Sequence, residues 1–166
     1  MKKIEIDKVT LNIGAGEPGD KLEKAMKLLS SISNAKPVQT KSKTRIPTWG
    51  IRPGLPIGCK VTLRKERANL LLKRLLKAMN NKISRKKFDK FGNLSFGIKE
   101  YIEIPEIKYD PTIGIIGLEV AVTLKRPGYR IKNRSVRKTD IGIKHIITKD
   151  DAIKFIAEGY GVEVVD

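Results

Sequence analysis

Apolar positions recur along the chain with two different periods, and the switches between them mark out its elements. From Lys3 to Ile13 the pattern alternates, with Val9, Leu11 and Ile13 on one face of an extended strand and Ile4 and Ile6 on the opposite phase. A bulge near Asp7 reconciles the two halves. After the turn from Gly14 to Gly19, residues Leu22, Ala25, Met26, Leu29 and Ile32 follow helical spacing, with Asp20 as cap and Glu23 as first-turn acid. A second helix is predicted from about Lys65 to Met79. Its stripe is Ala68, Leu71, Leu72, Leu75, Leu76 and Met79; Lys73, Arg74 and Lys77 lie outside it, as either a solvated face or part of a binding surface.

Between these helices Val38 alternates with polar neighbours, and Cys59, Val61 and Leu63 alternate with Lys60, Thr62 and Arg64, which predicts two strands with polar faces. The segment from Ile46 to Pro56 carries three prolines and two glycines and reads as a long, stiff loop without regular structure. Loops of that length within a compact domain are commonly functional. Ile98 to Ile104 and Ile116 to Leu124 read as strands. Arg126-Pro127-Gly128 breaks the second, and Tyr129 to Lys132 resumes an alternating pattern. Thr148 and Asp151 signal a last helix through Ala152, Ile153 and Ile156 that stops at Gly159. The sum is an α+β fold: a single domain over residues 1–166, with helices on one face of a largely antiparallel sheet and a basic, RNA-binding face.

Composition changes this picture mainly through charge. A hydrophobic content of 40% is enough for a real core, but the formal net charge is +17 and the pI about 10.0. Such self-repulsion opposes compaction unless a polyanion lies against the fold. No apolar stretch approaches the roughly 20 residues that span a bilayer, so no membrane partner is expected beyond surface binding. Met1-Lys2-Lys3 leads into the mixed run Ile4-Glu5-Ile6-Asp7 instead of an apolar signal core, and the single Cys59 allows no internal disulfide.

The cations are not evenly spread. From Lys24 through Lys65 there is no Asp or Glu, yet ten Lys or Arg, including Lys36, Lys41, Lys43, Arg45, Arg52, Lys60 and Arg64. With a strand period of two, Lys41 and Lys43 share a face, as do Lys60, Thr62 and Arg64. A sheet face of Lys, Arg and Thr supplies phosphate donors and hydroxyls able to meet ribose 2′-OH groups. A second acid-free cluster, Arg126, Arg130, Lys132, Arg134 and Arg137, includes Tyr129, which can stack on a base; the same residues also suit a loop that makes only nonspecific contacts. A third, Lys82 to Lys90, is interrupted by Asp89. Aromatic content is 5% and shows no paired stacking platform, which favours structured RNA read by shape and backbone over single strands.

Catalysis finds little support. Gly14-Ala15-Gly16-Glu17-Pro18-Gly19 matches a dinucleotide fingerprint, but the acid needed about 20 residues on is missing and Pro18 removes a backbone N–H. His145 and Cys59 are each the sole residue of their type, which leaves no metal cluster and no proton relay. Glu100, Glu103 and Glu106, read as strand residues, alternate between faces. No metal or cofactor is expected.

Several motifs in order carry a family resemblance. Leu11-Asn12-Ile13-Gly14-Ala15-Gly16, Ala35-Lys36-Pro37-Val38, Ile51 to Gly58, Val61-Thr62-Leu63-Arg64, Phe96-Gly97-Ile98, Ile104 to Asp110, Arg126 to Arg130 and His145 to Ile153 resemble the universal large-subunit ribosomal protein L-five family, in its archaeal branch, across essentially the whole chain. The resemblance implies a structural role on the cytoplasmic ribosome: attaching 5S rRNA in the central protuberance beside large-subunit rRNA and neighbouring large-subunit proteins, and contacting P-site tRNA and a small-subunit head protein across an intersubunit bridge. It implies rRNA contacts at Asn12, Lys36, Lys41, Lys43, Arg45, Lys60, Thr62 and Arg64. For tRNA it implies the loop residues Thr48, Trp49, Gly50, Ile51, Arg52, Pro53 and Gly54. Ala35 stands where that family commonly has an RNA-contacting Gln. A general structured-RNA or chaperone module and a small nucleotide-dependent enzyme remain alternatives.

Overall fold

Residues Glu5–Gly14 form the first strand, β1, and its burial changes phase where the alternation does: Ile6 and Val9 are both buried with Asp7 and Lys8 half-exposed between them, and from there Leu11 and Ile13 alternate inward. The computed structural model describes residues Met1–Val165. After β1 come α1 (Asp20–Ser33), β2 (Val38–Lys41), β3 (Pro56–Leu63), α2 (Lys65–Ala78), β4 (Lys82–Ser84), β5 (Leu94–Ile98), β6 (Leu118–Lys125), α3 (Lys149–Tyr160) and β7 (Glu163–Val165). Five strands make one sheet in the order β2-β3-β1-β6-β5, and β4 pairs in parallel with β7. Among the described residues the fold is α+β, with a mostly antiparallel sheet and three α-helices.

By contact density the chain divides into two compact units. One holds Met1–Val9, Arg64–Phe96 and the chain from Ala121 on; the other holds Thr10–Leu63 and Gly97–Val120. In the second unit α1 lies on β3, burying Leu22, Ala25, Leu28, Leu29 and Ile32 on the side to which Cys59, Val61 and Leu63 point. Burial pushes the Cys59 thiol up to about 11, so it stays protonated and inert. Gly58 is required by close approach: a Cβ there would stand 2.7 Å from the Ile13 carbonyl oxygen and 2.9 Å from Thr40 Oγ1. In the first unit α2 buries Ala68, Leu71, Leu72, Leu75 and Leu76, the predicted stripe except Met79, which follows the helix and is half-buried; burying each leucine is worth about 1.5–3 kcal/mol. Thr148 and Asp151 close a reciprocal capping box on α3.

Several expectations are corrected. Asp20 does not cap α1; the cap position is Gly19, without a side-chain bond, and Asp20 joins Glu23 in the first turn. Val38 is 60% exposed, because β2 is the edge strand and pairs Val38 with Lys60 on the polar side. Strand β5 lies at Leu94–Ile98, where Leu94, Phe96 and Ile98 alternate inward; Tyr101–Glu103 is a 3-10 turn with Tyr101 buried. Tyr129–Lys132 is also a 3-10 turn, started by Gly128 at φ 99. Helix α3 runs past Gly159 and ends at Gly161, whose φ of 64 supplies the left-handed stop.

Candidate nucleic-acid interface

Pairing decides which side chains reach the open side of the sheet in the second unit. β2 and β3 run antiparallel with Val38 opposite Lys60 and Thr40 opposite Gly58, and a register shift after Thr40 brings Lys41 opposite Pro56. Val38 shares the side of Lys60, away from α1, while Gln39 faces the helix, its Nε2 3.6 Å from Met26 Sδ; Lys41, past the register shift, is exposed. On the neighbouring β1, Thr10 Oγ1 sits 3.4 Å from Thr62 Oγ1, and Asn12 Nδ2 donates to Glu119 Oε2 at 3.1 Å. Hydroxyl, amide, carboxylate and ammonium groups thus share one uncovered surface.

The segment from Ile46 to Pro56 is the loop its prolines and glycines predict, closed by backbone bonds and one 3-10 turn. Ile46 and Ile51 exchange backbone hydrogen bonds at 2.9 and 3.1 Å, Ser42 N donates to the Leu55 carbonyl at 2.9 Å, and Gly54 N donates to the Ser42 carbonyl at 2.9 Å. Pro47–Trp49 makes a 3-10 turn at the tip, closed by Gly50 at φ 65. Ile51 is buried at the base while Trp49 stands 73% exposed. The tip residues Thr48, Gly50, Arg52, Pro53 and Gly54 are exposed, as are Lys36, Lys43 and Arg45. The loop keeps these bonds because its prolines fall where no backbone donor is needed.

In the first unit the cations are used differently. Arg64 binds Asp7 at 3.1 Å, and Lys125 approaches the same carboxylate at 3.6 Å. Arg126 has a side chain only 11% exposed, binds Asp151 at 2.9 Å and donates to the carbonyls of His145 and Ile146 at 3.4 Å. Tyr129 donates to the His145 carbonyl at 3.1 Å and accepts from Ile147 N at 2.9 Å; its ring meets the His145 ring at 5.7 Å, and Lys132 Nζ lies 5.1 Å from its centroid. His145 Nε2 is 2.9 Å from the Pro127 carbonyl oxygen. Arg134 Nε donates to the Arg137 carbonyl at 2.8 Å, and Arg130 is exposed. Burial raises the pKa of Asp151, but the N–H and hydroxyl of Thr148 and the Arg126 charge outweigh it, so the carboxyl titrates below its ordinary 3.8.

The glycine-rich turn is built as scaffold. Ala15 N and Gly16 N, the amides a phosphate would need, both donate to the Ile57 carbonyl, at 2.9 and 3.0 Å. Two features have no readable signal in the sequence: the β4–β7 pair, three residues each, and the orientation of Asn12 by Glu119, which are 107 positions apart.

Residues 1–52 match the family model described as Ribosomal protein L5, and residues 56–155 match the model that describes the C-terminus of the same ribosomal family. Full-length archaeal relatives agree. Large ribosomal subunit protein uL5 of Nanoarchaeum equitans is 52% identical over 99% of this chain and 98% of its own. The protein of that name from Nitrosopumilus maritimus is 49% identical over 99% and 95%, and that from Sulfolobus acidocaldarius 45% over 100% and 93%. The chain therefore belongs to the ribosomal protein L5 family, structural constituents of the large ribosomal subunit and not enzymes.

Proposed function

We propose that the open sheet face of the second unit binds 5S rRNA and helps attach it in the central protuberance of the large subunit. The supporting observation is the convergence on one uncovered surface of Thr10, Asn12, Lys60 and Thr62, beside exposed Lys41 and with no acid in the segment from Lys24 to Lys65 that supplies β2 and β3. Lysines there neutralise phosphates and release counterions. Hydroxyls and the Asn12 amide give directional contacts to sugar and base. Lys36, Lys43 and Arg45 extend the positive field, and Arg64, tied to Asp7, contributes from the end of β3.

The tip of the loop between β2 and β3, Thr48 to Gly54, is the segment proposed to reach P-site tRNA: its backbone bonds and prolines hold it stiffly and Trp49 is presented to stack. Arg130, Lys132, Arg134 and Arg137 in the first unit are proposed to meet large-subunit rRNA, whereas Arg126 and Tyr129 serve the turn that carries them. Contacts to a small-subunit head protein across an intersubunit bridge, and to neighbouring large-subunit proteins, complete the proposed setting. The test is a salt titration of binding to 5S rRNA and to an unrelated folded RNA of similar length. A preference for 5S rRNA that persists at high salt is expected. Affinities that are equal and fall together would instead mark a general structured-RNA module.

A further inference from the structure

Glu119 is the anomaly on this face. Among the described residues it is the one acid on the strands of the second unit, it is exposed, and its Oε2 accepts from Asn12 Nδ2 at 3.1 Å. An ionised carboxylate only accepts, so the amide must turn its NH2 group to Glu119 and its carbonyl Oδ1 away. The pair thereby becomes two neighbouring acceptors: Asn12 Oδ1 and the remaining lone pairs of Glu119. Beside a polyanion, a carboxylate costs affinity by repulsion unless a donor meets it. Phosphate oxygens cannot do so, since they bring no donor and a like charge.

We infer that Glu119, together with the Asn12 amide it orients, is a recognition site for hydrogen-bond donors of folded RNA, either the N1–H and N2–H2 edge of an unpaired guanine or a ribose 2′-OH. This rests on the reading of the open face as an RNA surface and assigns its selective element. Lys60 and Thr62 provide attraction that any RNA satisfies; Glu119 penalises every register that places phosphate against it. Specificity of this kind needs a repulsive element as well as attractive ones.

The test uses the full chain, with 5S rRNA and an unrelated folded RNA of similar length, across a range of salt. If Glu119 were only an unfavourable charge, Glu119→Gln and still more Glu119→Lys would tighten binding to both RNAs, the latter steepening the salt slope by about one unit. The site predicts the opposite sign for 5S rRNA: both variants bind it about tenfold or more weakly, the loss of a hydrogen bond to a charged group, while the unrelated RNA binds equally well or better. Unchanged or tighter 5S rRNA binding by either variant overturns the inference. The donor is then located with 5S rRNA carrying 2′-deoxy or inosine substitutions. The modification that abolishes the difference between wild type and Glu119→Gln identifies ribose or guanine, and persistence of the difference with both overturns the site. Lys60→Ala and Thr62→Ala separate the two levels of argument: if neither changes affinity for any RNA, the RNA face itself fails, whereas if they weaken binding and the Glu119 variants do not, only the Glu119 site fails.

Discussion

The hairpin and sheet face of the second unit and the turn-rich segment from Arg126 to Lys138 in the first look alike in sequence, since both are acid-free and dense in Lys and Arg. They differ in what their cations touch. Lys41, Lys43, Arg45 and Lys60 are exposed, and no ion pair or side-chain hydrogen bond engages them among the described residues. Arg126 is almost covered and bound to Asp151, and Arg134 is bound to a neighbouring carbonyl, while Arg130, Arg137 and Lys138 stay exposed. Tyr129 commits its hydroxyl to two backbone groups. A run of positive charge therefore measures potential only; whether a cation is available to a polyanion depends on whether the fold has already provided its partner.

That contrast can be broken most strongly from the side of the free cations. Replacing Lys41, Lys43, Arg45 and Lys60 together by Ala should weaken RNA binding about a hundredfold or more and reduce the magnitude of the salt slope by about three units. Thermal unfolding without RNA should be unchanged or slightly improved as self-repulsion falls. Arg126→Ala should do the reverse, costing about 2 kcal/mol in denaturant unfolding because Asp151 and two carbonyls lose their partner, a value reduced from that of a fully buried pair because Asp151 is 40% exposed. Its effect on RNA affinity at temperatures where it is folded should be small. An Arg126→Ala protein as stable as wild type, with RNA binding lost, would erase the distinction.

Gly58→Ala sharpens the comparison from within the sheet. The added methyl meets the Ile13 carbonyl and Thr40, so a loss of roughly 1–2 kcal/mol is expected, and RNA affinity should fall with it because β2 and β3 carry the exposed cations. The smallest effect belongs to acid. Asp151 has a lowered pKa in the folded chain, so its stabilisation is fully present above its ordinary 3.8 and is lost as pH falls through the lower folded value. Asp151→Asn should flatten this part of the acid limb of stability against pH, measured by urea unfolding, and leave neutral-pH RNA binding unaltered.

Elements with an unambiguous local pattern are legible in the sequence. The α2 stripe, the phase change at Asp7 and the Thr148/Asp151 box each rest on neighbours within one or two turns, where spacing and geometry are equivalent. The misreadings share a different cause. Tyr129 to Lys132 alternates like a strand, but among the described residues no strand pairs with it, and the Tyr129 hydroxyl ties the turn to residues 145 and 147. The proline-rich segment is a loop as it reads, but its Ile46–Ile51 bridge and its bonds to Ser42 are visible only when both arms are laid side by side.

The sequence by itself determined the α+β class, the position of most helices and strands, the basic character of the chain and, through motif order, its family. Tertiary structure decided which cations are free, that Gly58 must admit Thr40 and the Ile13 carbonyl beside it, and that Asn12 is turned by Glu119. Periodicity and net charge are properties of neighbours along the chain, whereas availability and orientation are set by partners that only folding brings within about 3–4 Å, the range over which hydrogen bonds and ion pairs act.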